Sequence, residues 1–109
     1  MLDEQEFRDR ADAALNDLYK RLCAAADAHD LEADFNSGAL AIEFEEPPGK
    51  FVVSPNTPVR QIWVSAHSKS FKLDWDASRS AFVLGGTNQT LNEMVGAAIA
   101  QQLGEAVTL

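Results

Sequence analysis

Between residues 31 and 84 the chain passes through six short apolar-rich segments, and no gap between them is long enough to hold a helix. Parallel neighbours in a sheet need a crossover of about a dozen residues or more, whereas antiparallel neighbours need only a turn. The segments are Leu31–Phe35, Leu40–Glu45, Lys50–Val53, Gln61–Ser65, Phe71–Trp75 and Ala81–Leu84. In several of them apolar and polar residues alternate. Ile62 and Val64 share one face against Gln61, Trp63 and Ser65, and Phe71, Leu73 and Trp75 share one face against Lys72 and Asp74. Side chains alternate across a strand, so such runs read as half-buried strands. The expected result is an antiparallel meander.

Register can be argued for the first hairpin. Its apolar sets, Leu31, Ala33, Phe35 and Leu40, Ile42, Phe44, must face one core, and pairing Phe35 with Leu40 achieves this. A slip by one residue would put one set in water. The same register sets Glu32 opposite Glu43 and Asp30 opposite Glu45 on the outer face. Like charges directly opposite are destabilising, so the pattern favours something positive nearby. Of the connections, Asn36-Ser37-Gly38 and Glu46-Pro47-Pro48-Gly49 read as turns. Ser54–Pro58, with two prolines, reads as a loop or edge, Ala66–Ser70 as a link, and Asp76–Ser80 as a turn.

A helical period flanks the strands on both sides. Phe7, Ala11, Ala14, Leu15, Leu18 and Leu22 form one stripe over residues 4 to about 26, started by Asp3 and Glu6 at capping-box spacing. Leu91, Val95, Ala98, Ile99 and Leu103 form a second stripe, opened by the pair Thr90 and Glu93 and closed by Gly104. Each helix has one apolar stripe, so both should cover the same sheet face and leave the other wet. The expected fold class is α+β, a two-layer α/β sandwich with an antiparallel sheet of about six strands, as a single domain over 1–109.

On that wet face the alternation places Trp63, a large aromatic whose strand partners are polar. An exposed Trp beside Gln61, Arg60 and Asn56 has the composition of an interface hot spot, and Arg60 adds a bidentate donor for a carboxylate. The blander alternative is a partly covered core residue. The formal net charge of −8 makes nucleic acid and anionic membranes poor partners. Cations, or a basic patch on another protein, suit it better. Asp27, Asp30, Glu32 and Asp34 run from the first helix end along the first strand, with Glu43, Glu45 and Glu46 beside them. Carboxylates suit hard cations such as Fe³⁺ and, less selectively, Fe²⁺, Ca²⁺, Mg²⁺ or Mn²⁺. Side chains on a rigid sheet cannot wrap an ion, so binding should be weak. A solvated face serving solubility is the alternative. His29 could join such a site or be a surface histidine among acids. His67 reads as a polar-turn residue, and Cys23 as small and semi-buried. One cysteine allows no internal disulfide, which fits a reducing compartment. No apolar run reaches the length of a membrane span. The acidic start lacks the features of a signal or transit peptide, so a mature cytoplasmic N-terminus is expected. No nucleophile elbow, P-loop or dinucleotide fingerprint is present, and the expectation is that the chain is not an enzyme.

The strings EFRDRAD, FNSGALAIEF and TPVRQIWVS, the DW strand end and the Thr-x-x-Glu helix start together resemble the frataxin family, in particular its bacterial members. The resemblance spans almost the whole chain. It implies a role in iron–sulfur cluster assembly in a bacterial cytoplasm. It also implies weak surface iron (Fe²⁺/Fe³⁺) on the acids Asp27, Asp30, Glu32, Asp34, Glu43 and Glu45. Docking on a cysteine desulfurase and scaffold protein follows as well, with Trp63, Gln61 and Asn56 in the contact surface; Arg60 is added to that surface on its own chemistry, and a monomer is expected. The chain departs from the family where related members carry acids in the second half of the first helix: Tyr19, Lys20, Cys23 and Ala24 stand there, while Asp9 and Asp12 keep some acid on the helix. That moves the expectation from iron storage toward docking and regulation. An iron carrier delivering Fe²⁺, or a metal-free interaction module, are the alternatives.

Overall fold

The computed structural model describes residues 2–36, 38–45 and 48–109. Helix α1 (Glu4–Ala25) leads into strands β1 (Glu32–Asn36), β2 (Ala39–Glu45) and β3 (Pro48–Asn56). A single 3-10 turn, Thr57–Val59, precedes β4 (Gln61–Ala66), β5 (Lys69–Asp76) and β6 (Ala81–Leu84), and helix α2 (Leu91–Leu103) ends the order. The strands form one six-stranded sheet in sequence order, and every pairing is antiparallel. This is the expected meander between two helices.

Both helices cover one sheet face. From α1, Phe7, Ala11, Leu15, Leu18 and Leu22 are buried; from α2, Leu91, Met94, Val95, Ala98 and Ile99. They meet Leu40, Ile42, Phe44, Phe51, Val53, Ile62, Val64, Leu73 and Phe82 from the strands in one core cluster. Fully burying a side chain of this size stabilises by about 1.5–3 kcal/mol. Phe7 and Phe82 meet edge to face with centroids 5.9 Å apart, locking α1 to β6. The helix starts are capped as the sequence predicts. Asp3 accepts from the Glu6 amide at 2.8 Å, and Thr90 and Glu93 complete a reciprocal capping box. Gly104 closes α2 at φ 70°, a left-handed conformation that a Cβ would strain.

Of the two readings of Ser54–Pro58, the edge holds over Ser54–Asn56, which continues β3 and pairs with β4 alone. Pro55 is tolerated because the described ladder between β2 and β3 ends at Leu40–Val53, so its missing N–H costs no bond on that side. Three other expectations need correction. The link between β4 and β5 is only His67-Ser68, both at positive φ (52° and 62°), a mirror-image two-residue hairpin turn. Neither is Gly or Asn, so the sequence carried no sign of it. His67 is not a free turn residue. Its Nε2 lies 3.0 Å from the Ala98 carbonyl and its ring meets Phe51 edge-on, which ties the turn to α2. Finally, Cys23 is exposed rather than semi-buried. Of the predicted turns, Ser37, Glu46 and Pro47 lie outside the described residues. Among the described residues no helix is long and apolar enough to cross a membrane.

Candidate functional site on the uncovered sheet face

The face opposite the helices carries two polar features. The first is acidic. The ladder places Glu32 opposite Glu43 and Phe35 opposite Leu40, the register derived from the sequence. The described ladder starts at that Glu32–Glu43 pair, so Asp30 precedes β1 rather than pairing with Glu45. Asp30, Glu32, Glu43 and Glu45 instead rim a shallow depression of about 280 Å³ with Leu31 and Phe44. Lys50 stands opposite Glu43 on β3, its Nζ 3.9 Å from a carboxylate oxygen, and supplies part of the positive charge the pattern called for. Both partners are exposed, so the pair contributes little. Asp34 lies opposite Ala41, and Asp27 sits in the turn after α1. Among the described residues no three His, Cys, Asp or Glu side chains converge to hold a metal ion. His29 does not turn to the acids of the hairpin: its Nδ1 lies 3.1 Å from Glu105 Oε1, beyond the end of α2.

The second feature is centred on Trp63. It is half-buried rather than open, because its neighbours on the same face cover it. Its indole N–H donates to Gln61 Oε1 at 2.9 Å, and the Gln61 amide in turn donates to Asp74 Oδ1 at 3.1 Å. Lys72, directly opposite Trp63 on β5, holds its ammonium 5.0 Å from the ring centroid. A cation in that position is attracted by the ring's quadrupole. Asn56 pairs with Gln61 from the other side. The cluster is therefore Trp63, Gln61 and Asn56 together with Lys72 and Asp74. Sequence alternation placed the last two on this face, but only the tight His67-Ser68 turn sets them opposite Trp63 and Gln61.

Arg60 does not join this cluster. It adopts φ 56° after the 3-10 turn, and its guanidinium donates to the Thr57 carbonyl. It also helps to hold the Asp3 carboxyl below its ordinary value, after the larger effect of the Glu6 hydrogen bonds. Its Nε is buried without a partner among the described residues. The side chain thus braces the turn near the start of α1 instead of reaching outward as a bidentate donor.

Trp63 and Glu43 lie two strands and four residues apart on the same face, roughly 16 Å given the usual strand spacing and rise. A small ligand cannot span that distance, but a protein surface can.

Comparison with known proteins agrees with this architecture. A family model described as a frataxin-like domain matches residues 1–105. The iron-sulfur cluster assembly protein CyaY of Pseudomonas aeruginosa is 31% identical over 97% of this chain and 95% of its own. That of Cupriavidus metallidurans is 32% identical over 99% and 96%. In three dimensions the chain superposes on frataxin from Psychromonas ingrahamii with a TM-score of 0.77, covering 98% of this chain and 97% of the other. At 22% identity, that likeness speaks for the fold. A meander of six strands under two helices, the predicted hairpin register and a match over nearly the whole length lead to one conclusion: the chain belongs to the frataxin-like family.

Proposed function

We propose that this protein is a non-enzymatic accessory factor of iron–sulfur cluster assembly. It docks through its uncovered sheet face on a cysteine desulfurase and scaffold complex and alters the rate at which clusters form. The observation that carries the reading is the placement of a fixed, half-buried Trp and an acid pair on one face, too far apart for a small ligand. Half-buried Trp residues with satisfied N–H groups are typical anchors of protein interfaces. That similar proteins are iron-sulfur cluster assembly proteins supports this pathway. The acid edge favours a basic patch on the partner and a fast, salt-sensitive encounter.

The test is the affinity for the desulfurase. Trp63→Ala should weaken binding by about tenfold or more, as expected for a central anchor. The pair Glu32→Lys and Glu43→Lys should weaken it further and flatten its salt dependence. If both proteins bind like the unaltered one, this docking mode is wrong.

Delivery of Fe²⁺ as cargo is the second reading, favoured by the directly opposed Glu32 and Glu43. Two carboxylates without a third converging ligand leave most of the ion's coordination to water, so affinity is expected to be low. Neutralising Asp30, Glu32, Glu43 and Glu45 should abolish saturable iron binding while Trp63-dependent docking persists. A titration without saturable binding at physiological salt would remove the carrier reading and leave docking in place.

A further inference from the structure

The sheet has two outer edges, and they are treated differently. At β6, Thr90 bridges back to Val83, so the chain itself begins to close that edge. At β1 no described strand lies beyond, and β1 pairs only with β2. An open edge offers unpaired N–H and C=O groups to any extended chain. This edge also carries a large apolar group in water. Phe35 is 41% exposed although its register partner Leu40 is fully buried, which contradicts the sequence expectation that both face the core equally. The reason is position: α1 covers Phe35 from one side only, through Tyr19, whose ring lies 5.0 Å from it at a tilt of 50°. Tyr19 is half-buried, and its phenol is held above its ordinary value first by a hydrogen bond with Cys23. The pair forms an aromatic ledge above the edge strand. Below it, Glu32 and Asp34 project from the other face of the same strand, both exposed.

We infer that the free edge of β1 takes up an extended, basic segment of a partner protein as a seventh, added strand, with an apolar residue of that segment seated on Tyr19 and Phe35. This deepens the proposed docking role and rests on it. The charge on β1 selects the occupant. A strand carrying Arg or Lys toward Glu32 and Asp34 gains cross-strand attraction, and Arg can also stack on the aromatic ledge. A second copy of this chain would bring Glu32 and Asp34 against their own kind, and like charges across a strand pair repel. Main-chain hydrogen bonds would supply affinity and the ledge specificity.

The test uses the whole protein and three synthetic peptides. One alternates Arg and Val, one is the same peptide with Pro replacing its central Val, and one has Glu in place of Arg. The Arg/Val peptide should protect the β1 amides from hydrogen exchange and shift the Tyr19 and Phe35 resonances. The Pro and Glu peptides should not. Phe35→Ser should weaken that binding by about tenfold, with Tyr19→Ser as an independent second variant, while Trp63→Ala leaves it unchanged. Equal binding of the Pro peptide would show charge attraction without strand addition and overturn the inference. So would a footprint on β4, or protection of β1 that grows with protein concentration in the absence of peptide, the mark of self-pairing. Desulfurase binding separates the two readings. Loss with Trp63→Ala but not with Phe35→Ser sinks the added strand and keeps the docking role. Loss with neither sinks the docking role, and the edge reading falls with it.

Discussion

One hydrogen bond and a cation fix the indole of Trp63, and this changes what its removal should do. An anchor already held in one orientation loses little rotamer freedom when a partner covers it, so more of its burial appears as affinity. Its contribution to folding should be smaller than that of its strand neighbour Ile62, which faces the core and is fully buried. Ile62→Ala should cost about 2–5 kcal/mol through lost transfer energy and a cavity. Trp63→Ala should cost about 1 kcal/mol, within the usual range for substitutions outside the core. Urea denaturation of the two variants checks the contrast, and equal losses would place Trp63 among the core residues. At this scale the sequence was partly legible. Alternation put Trp63, Lys72 and Asp74 on the outer face. It could not show that Arg60 turns back to its own loop, because a left-handed Arg leaves no compositional trace.

The helices are held at their starts by carboxylates, and that gives the protein an acid limit. Hydrogen bonds from the Thr90 amide and then its hydroxyl hold Glu93 below the usual carboxylate range. The Arg21 guanidinium, followed by the Asn92 amide, does the same for Asp17. Asp76 is lowered chiefly by the Ser78 hydroxyl in the turn between β5 and β6. Each is depressed in the folded state. Its stabilisation is therefore present above the ordinary unfolded value and disappears as pH falls through the lower folded value. The melting temperature should be flat near neutrality and decline below about pH 4, where unfolded carboxylates begin to take up protons. Glu93→Gln should remove its share of that decline. Thr90→Ala should cost about 1 kcal/mol at neutral pH through loss of the cap. A pH series of thermal melts on the three proteins tests both statements. These caps were readable from sequence because the interaction is local, within three residues. The full length of β3 and the turn between β4 and β5 were not. Proline and polar residues argued for a loop or an edge, while the partner strands that make those segments extended are defined only by the assembled sheet.

For the molecule as a whole, charge is unevenly spent. With a formal net charge of −8 and Glu32 facing Glu43, the folded state carries repulsion on the outer face that Lys50, paired with Glu43, relieves in part. Raising the salt concentration from about 0.01 M to 0.5 M shortens the screening length severalfold and should raise the melting temperature. Glu32→Gln should raise it at low salt and have little effect at high salt. A melting temperature indifferent to salt in both proteins would show that the outer-face acids do not repel strongly enough to matter. The fold class, element order and hairpin register were legible because the segments are short, patterned and joined by turns. The docking surfaces were legible only in outline. Exposure at the β1 edge depends on how far α1 reaches across the sheet, and no window of sequence contains that distance.

The nearest-neighbour order of the strands also bears on how the chain is made. Every ladder joins consecutive strands, so pairing can advance hairpin by hairpin with little loop-closure cost at each step. Helix α1 emerges from the ribosome before the sheet, yet its buried stripe meets residues as late as Phe82. Phe7 must therefore wait for that partner until most of the sheet has been synthesised. At about 5–20 residues per second that is an interval of several seconds. Until then the start of the helix that completes the core is exposed apolar surface of the kind that chaperones bind.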